Sequence, residues 1–201
     1  MKAKLISLLA GALLFCTPLA KAQVLDGGIV GGISTGSVRL NGINTPFVNR
    51  ATGNTVMGYE GGGFARIHIG SFYIKPMAML DYHQGALDLT TRQDALIQSN
   101  FTYGRLVVPL LAGFHFPRIF SIEAGPACSW LYHTDLAAYN NLNVERTGLG
   151  YRAGIHAEYG LFSWGFVYQG MVNQGTGFSN TTLRAPDEVL LEIGINLAGR
   201  K

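Results

Sequence analysis

From residue 57 onward the chain alternates apolar and polar or small residues with a period of two, the signature of β-strands with two chemically different faces. The clearest case is FSWGFVYQG at 162–170. Phe162, Trp164, Phe166 and Tyr168 share one parity, and Ser163, Gly165, Val167 and Gln169 share the other. Eight segments carry the pattern, at about 25–37, 57–69, 72–84, 101–116, 119–132, 147–160, 162–173 and 188–198. The first is rich in glycine and alternates least, and Phe64 breaks the parity of the second.

The connections alternate too. Gly70-Ser71, Pro117-Arg118 and Gly160-Leu161 mark tight turns, whereas the gaps at roughly 38–56, 85–100, 133–146 and 174–187 are long and polar. An even strand number, about ten residues per strand, and short turns at one end with long loops at the other describe a bacterial outer-membrane barrel. The pattern therefore predicts an all-β fold, an eight-stranded antiparallel transmembrane up-and-down β-barrel. Pro76, Pro109 and Pro126 fall inside strands, where each removes a ladder donor, so bulges or positions near a rim are expected for them.

A soluble sandwich or lipocalin-like barrel also alternates, but its outer face is rich in charge. Here only 13% of residues are charged, against about 25% in typical soluble domains. The polar parity is rich in glycine with scattered Glu, Arg, His and Tyr, which suits the narrow interior of an eight-stranded barrel. The expected lumen set is Glu60, Arg66, His68, Lys75, Asp81, Arg105, His115, Glu123, Arg152, His156, Glu158, Glu188 and Glu192, acting as a structural polar network. Phe72, Tyr82, Phe114, Phe120, Trp130, Tyr132, Tyr159, Phe162, Trp164 and Phe166 are expected to face lipid, several of them as interfacial girdles.

The N-terminus changes the charge balance and the compartment. Lys2 and Lys4, the apolar run Leu5 to Phe15, and Ala20-Lys21-Ala22 form a secretory signal peptide, with cleavage expected after Ala22. The run is too short for a spanning helix, and Leu-Leu-Phe before Cys16 is unlike a lipoprotein site. The expected organisation is therefore 1–22 signal and 23–201 barrel domain. Removing Lys2, Lys4 and Lys21 leaves 12 basic against 12 acidic residues, so nucleic acid is not an expected partner. Only Cys128 remains after cleavage, and no intrachain disulfide can form.

GGGFARIHIG (61–70), FYIKPMAMLDYHQGA (72–86), LVVPLLAGFHF (106–116) and FSIEAGPACSWLY (120–132) resemble the bacterial outer-membrane β-barrel domain family that includes PorT. Met77 stands where a glutamate often follows the strand-three proline in that family. The resemblance implies an integral barrel of the outer membrane, and for PorT itself an association with a protein-secretion machine.

Little in the chain points to catalysis. His68, His115 and His156 share the inner parity near short turns and are the candidate zinc set, weighed against membership of the polar network. A lipid-modifying enzyme needs a serine–histidine–acid set at the rim, but His156 and Glu158 have no serine nearby and no Gly-x-Ser-x-Gly elbow exists. No enzyme activity, catalytic residue, cofactor or metal is expected. The expected partners are outer-membrane lipid and an envelope or secretion-machine protein, reached through loops or rim. The termini are expected in the periplasm, and the 85–100 loop, with Asp88, Arg92 and Asp94, outside the cell.

Overall fold

The computed structural model describes residues 25–41, 48–91, 96–116, 119–135, 143–144, 146–172, 175–178 and 181–197. The signal segment and its cleavage site lie outside the described residues, as do Arg92, Asp94 and Pro117-Arg118.

Ten strands follow one another: β1 (Leu25–Asn41), β2 (Val48–Ile69), β3 (Phe72–Thr91), β4 (Leu96–His115), β5 (Phe120–Thr134), β6 (Asn143–Val144), β7 (Thr147–Tyr159), β8 (Phe162–Met171), β9 (Gly175–Phe178) and β10 (Thr181–Asn196). Eight of them form the wall in the order β1-β2-β3-β4-β5-β7-β8-β10, every pair antiparallel, and β10 pairs back to β1 from Gly28↔Asn196 to Asn41↔Thr182. That last pairing closes the sheet and leaves the wall without an edge. The chain is an eight-stranded antiparallel up-and-down barrel, and β6 and β9 extend it at one end.

At the short-turn end, Gly70 and Gly160 adopt φ of 67° and 61°, which an L side chain rarely tolerates. Their turns are tied to the neighbouring strands by backbone bonds from His115 N–H to Ser71 O and from Asn196 N–H to Leu161 O, each 2.8 Å.

The other end departs from the expected long loops. Most of the polar gaps are strand: β1 continues to Asn41, β2 starts at Val48, β3 reaches Thr91 and β4 begins at Leu96. Backbone pairing needs no apolar parity, so these polar hairpin arms continue the wall although side-chain alternation fades. Among the described residues, register shifts cluster toward this half, at Ser37/Arg39, Val48/Arg50, Gly53/Val56 and Gly104/Arg105.

The strand prolines behave differently from expectation. None sits at a bulge or at a rim. Pairing on either side of Pro76 keeps one register, from Phe64↔Met77 to Ile67↔Ile74, with an unpaired gap between. The same holds around Pro109, between Pro76↔Leu110 and Met79↔Val107, and around Pro126, between Pro109↔Ala127 and Ala112↔Ala124. Each proline deletes ladder bonds locally, while the pairs on both sides hold the register. Because Pro76 lies opposite Leu110 and Pro109 opposite Ala127, the three gaps run as one oblique seam across β3, β4 and β5.

The two faces are segregated along every wall strand. Outside stand Ile33, Tyr59, Phe72, Leu80, Leu110, Ile155, Phe166 and Ile193, each more than half exposed. An apolar exterior of this extent is unstable in water and is what hydrocarbon requires. Aromatics concentrate at two levels. Phe72 packs against Phe114 at 4.9 Å near the short turns, and Tyr59 stacks on Tyr82 at 5.2 Å toward the other end.

Candidate functional site

The inward parity fills the lumen, and its ionic groups meet across it. At the short-turn mouth, Arg66 on β2 reaches Glu158 on β7 at 2.9 Å, and the His68 ring bonds Asp26 at 2.8 Å. His68 also stacks on His115 at 5.5 Å, with Tyr73 against His115 at 4.7 Å. One level deeper, Glu123 accepts from Lys75 at 2.9 Å and from the Tyr73 hydroxyl at 2.8 Å. Tyr73 fits because the facing residue is Gly113; its ring stands where a side chain at 113 would project.

His156 lies between Glu192 and Glu123, at 3.2 and 3.6 Å, beside Gly165. Arg152 then joins Glu60 at 2.6 Å, pairs with Glu192, and donates to the Gln169 carbonyl at 2.6 Å. The Gln169 amide passes the chain on to Asp81 at 3.4 Å. Arg105 completes it, bonding Asp81 at 2.9 Å and Glu188 at 2.6 Å, with Tyr103 donating to Glu188 at 3.1 Å. These groups are buried: Glu60, Lys75, Asp81, Arg105, Glu123, Arg152, Glu188 and Glu192 are each 1–5% exposed.

An apolar cluster shares the interior with this network. Phe64, Met77, Met79, Val107, Leu111 and Ala127 belong to it. Phe64, the parity exception of β2, takes the Arg66 and Lys75 cations over its ring at 5.3 and 4.9 Å.

All thirteen residues of the sequence-derived lumen set point inward, and the ten aromatics stand on the outer parity. The zinc trio does not assemble. His68 and His115 stack at the mouth, whereas His156 is engaged by carboxylates deeper in the lumen. Sequence reasoning passed over Asp26, on the glycine-rich first strand, and gave no role to Tyr73, His83, Tyr103 or Gln169. Their inner parity was the available signal.

Counting the inward groups of the described residues, seven carboxylates (Asp26, Glu60, Asp81, Glu123, Glu158, Glu188, Glu192) face four fixed cations (Arg66, Lys75, Arg105, Arg152). Three histidines, His68, His83 and His156, stand within 3.7 Å of these acids. Such an interior supports a rigid plug and offers nitrogen and oxygen ligands to a cation. Among the described residues, one group of three side chains has metal-ligand spacing, Asp81, His83 and Glu188.

No protein-family model matches the chain, and no curated protein does. The resemblance to the PorT-containing family is thus carried no further than the barrel itself. Among solved structures, the chain is similar to Ail, the attachment invasion locus protein of Yersinia pestis, crystallised with the heparin analogue sucrose octasulfate. Identity is 12%, the match covers 86% of this chain and 99% of that one, and the TM-score is 0.45. It is also similar to the transport unit of the autotransporter AIDA-I from Escherichia coli (11% identity, 89% and 91% covered, TM-score 0.34). The translocator domain of the autotransporter NalP from Neisseria meningitidis is 11% identical, with 96% of each chain covered and a TM-score of 0.30. At such values the fold assignment rests on this chain's own strand register, barrel closure and two-faced wall.

Proposed function

We propose that this protein is an integral barrel of the bacterial outer membrane whose lumen is a structural plug, and that it acts by contact through the hairpin arms and rim at its long-loop end. The supporting observation is the pair of trans-lumen bridges, Arg152 to Glu60 and Arg105 to Glu188, built from side chains 1% to 5% exposed. Buried ion pairs of this kind resist opening, because separating them strands charge in a low-dielectric interior. In this reading the wall anchors the protein in lipid, the termini lie in the periplasm, and no reaction is catalysed. The extended strands at one end offer a surface to an envelope partner.

The test combines location with conductance. The protein should fractionate with outer membranes, resist carbonate extraction and migrate differently on gels before and after boiling. In planar bilayers it should pass no steady current. Recovery in the soluble periplasm, or a stable open conductance, overturns the reading. An accessory role in protein secretion rests on the sequence resemblance alone. A pull-down from detergent-solubilised outer membranes that brings secretion components with the barrel supports it, and one that brings none removes it.

A further inference from the structure

Asp81 and His83 lie two residues apart on β3 and point into the lumen, and Glu188 reaches the same spot from β10. One ligand atom from each lies within 4.8 Å of the others, and all three residues are 1% exposed. His83 Nε2 stands 3.7 Å from Asp81 Oδ2, and Nδ1 stands 3.7 Å from Glu188 Oε1. Those gaps are too long for hydrogen bonds. An ion binds one imidazole nitrogen only, so the two gaps are alternatives and not one coordination set. Each has the length that two ligands of one ion show, since atoms each about 2.0–2.2 Å from a metal stand roughly 3–4 Å apart. One atom from each of the three residues falls within 4.8 Å of the others.

A second observation concerns unused polar atoms. His83 Nε2 and Asp81 Oδ1 are buried with no hydrogen-bond partner, a state that ordinarily destabilises a fold. Arg105 satisfies Asp81 Oδ2 and Glu188 Oε2. Asp81 Oδ1 is left unused, and Glu188 Oε1 accepts from the Tyr103 hydroxyl at 3.1 Å with a second lone pair to spare. The surroundings orient the ring as a ligand: Ser34 Oγ lies 3.5 Å from Nδ1, and Tyr103 stacks on the imidazole at 4.7 Å. Gly58 leaves room for it, because a side chain there would strike the His83 ring. Among the described residues the lumen carries three more carboxylates than fixed cations, so a divalent ion reduces an uncompensated charge.

We propose that Asp81, His83 and Glu188 form a site for one divalent transition-metal ion, with zinc the best match to a mixed imidazole–carboxylate donor set. The site is sealed, so the ion enters as the barrel folds and locks β3 to β10 across the lumen. This goes beyond the plug reading and stands independently of it.

The experiment refolds the full mature chain in detergent with equimolar zinc, strips loose metal with a chelator and gel filtration, and counts retained zinc by mass spectrometry. The parent should retain about one ion per barrel, and His83→Gln about a tenth of that or less. His156→Gln, outside the site, should match the parent. If His83→Gln does not reach the heat-modifiable folded form, Asp81→Asn serves instead. Cobalt loading of the parent adds a readout that needs no variant: a bound ion gives visible d–d bands. A parent that retains under a tenth of an equivalent and shows no cobalt bands overturns the site; His83 is then one more member of the structural polar network. Equal retention by parent and His83→Gln overturns it as well.

Discussion

Arg152 and Glu60, 92 residues apart in the chain, meet at 2.6 Å in the middle of the barrel. Their strands, β7 and β2, are sixth and second in the wall order, four places apart in a ring of eight, and so face each other across the lumen. Arg105 on β4 and Glu188 on β10 are related in the same way. A narrow barrel lets opposite walls touch through single pairs of long side chains, which is why its charges brace the wall instead of lining a channel.

Removing one partner of such a brace strands the rest. Arg152→Met leaves Glu60 and Glu192 without their guanidinium and Gln169 without its donor. The expected loss is about 3–5 kcal/mol in reversible urea unfolding from lipid. The double variant Arg152→Met, Glu60→Gln should recover part of it. A loss below about 1 kcal/mol in the single variant contradicts the brace.

Phe166 stands outward at mid-wall, paired with Ile155 and Leu191. Phe166→Arg places a charge in hydrocarbon and should cost about 2–4 kcal/mol. The inward neighbour Gln169 is no neutral control, because it accepts from Arg152 and donates to Asp81. Gln169→Lys would set a cation against Arg152 and should also destabilise, whereas Gln169→Leu should be the milder change. Full tolerance of Phe166→Arg would falsify the outward, lipid-facing placement.

The notch at Gly113 makes room for the Tyr73 ring. Gly113→Val should drive the ring aside and break its bond to Glu123, costing roughly 1–3 kcal/mol by overpacking. Adding Tyr73→Ala should return part of the loss. If Gly113→Val unfolds like the parent, the notch has no steric role.

The short turns and the long arms should lie on opposite sides of the membrane. An epitope inserted between Thr91 and Leu96 is expected to be detected on intact cells, and one inserted at Gly160-Leu161 only after permeabilisation. The reverse pattern inverts the topology.

The wall was readable in the sequence because side-chain direction in a strand has a period of two, and an apolar outer face with polar groups inside imposes one parity per strand. Phe64 broke parity for a reason that becomes visible only when Arg66 and Lys75 are seen against its ring. The polar hairpin arms were not legible because paired strands need no apolar face. The partners of each ionic group were not readable either. Parity says which side chains point inward, but the stagger between strands decides which of them share a level. Asp81 and His83 are visible as neighbours on one strand, whereas Glu188 joins them only through barrel closure.

The oblique line of prolines gives the cylinder an uneven stiffness. Around β7, β8, β10 and β1 the ladders run unbroken through the stretch with the apolar outer face, and the wall there resists bending as a continuous fabric. Across β3, β4 and β5 three neighbouring ladders lose bonds at adjoining places, Pro76, Pro109 and Pro126. Behind this panel sit Met77, Met79, Leu111 and Ala127, whose side chains carry no ionic tie to the opposite wall. Any breathing of the barrel therefore bends first along this seam, where the ladders are interrupted.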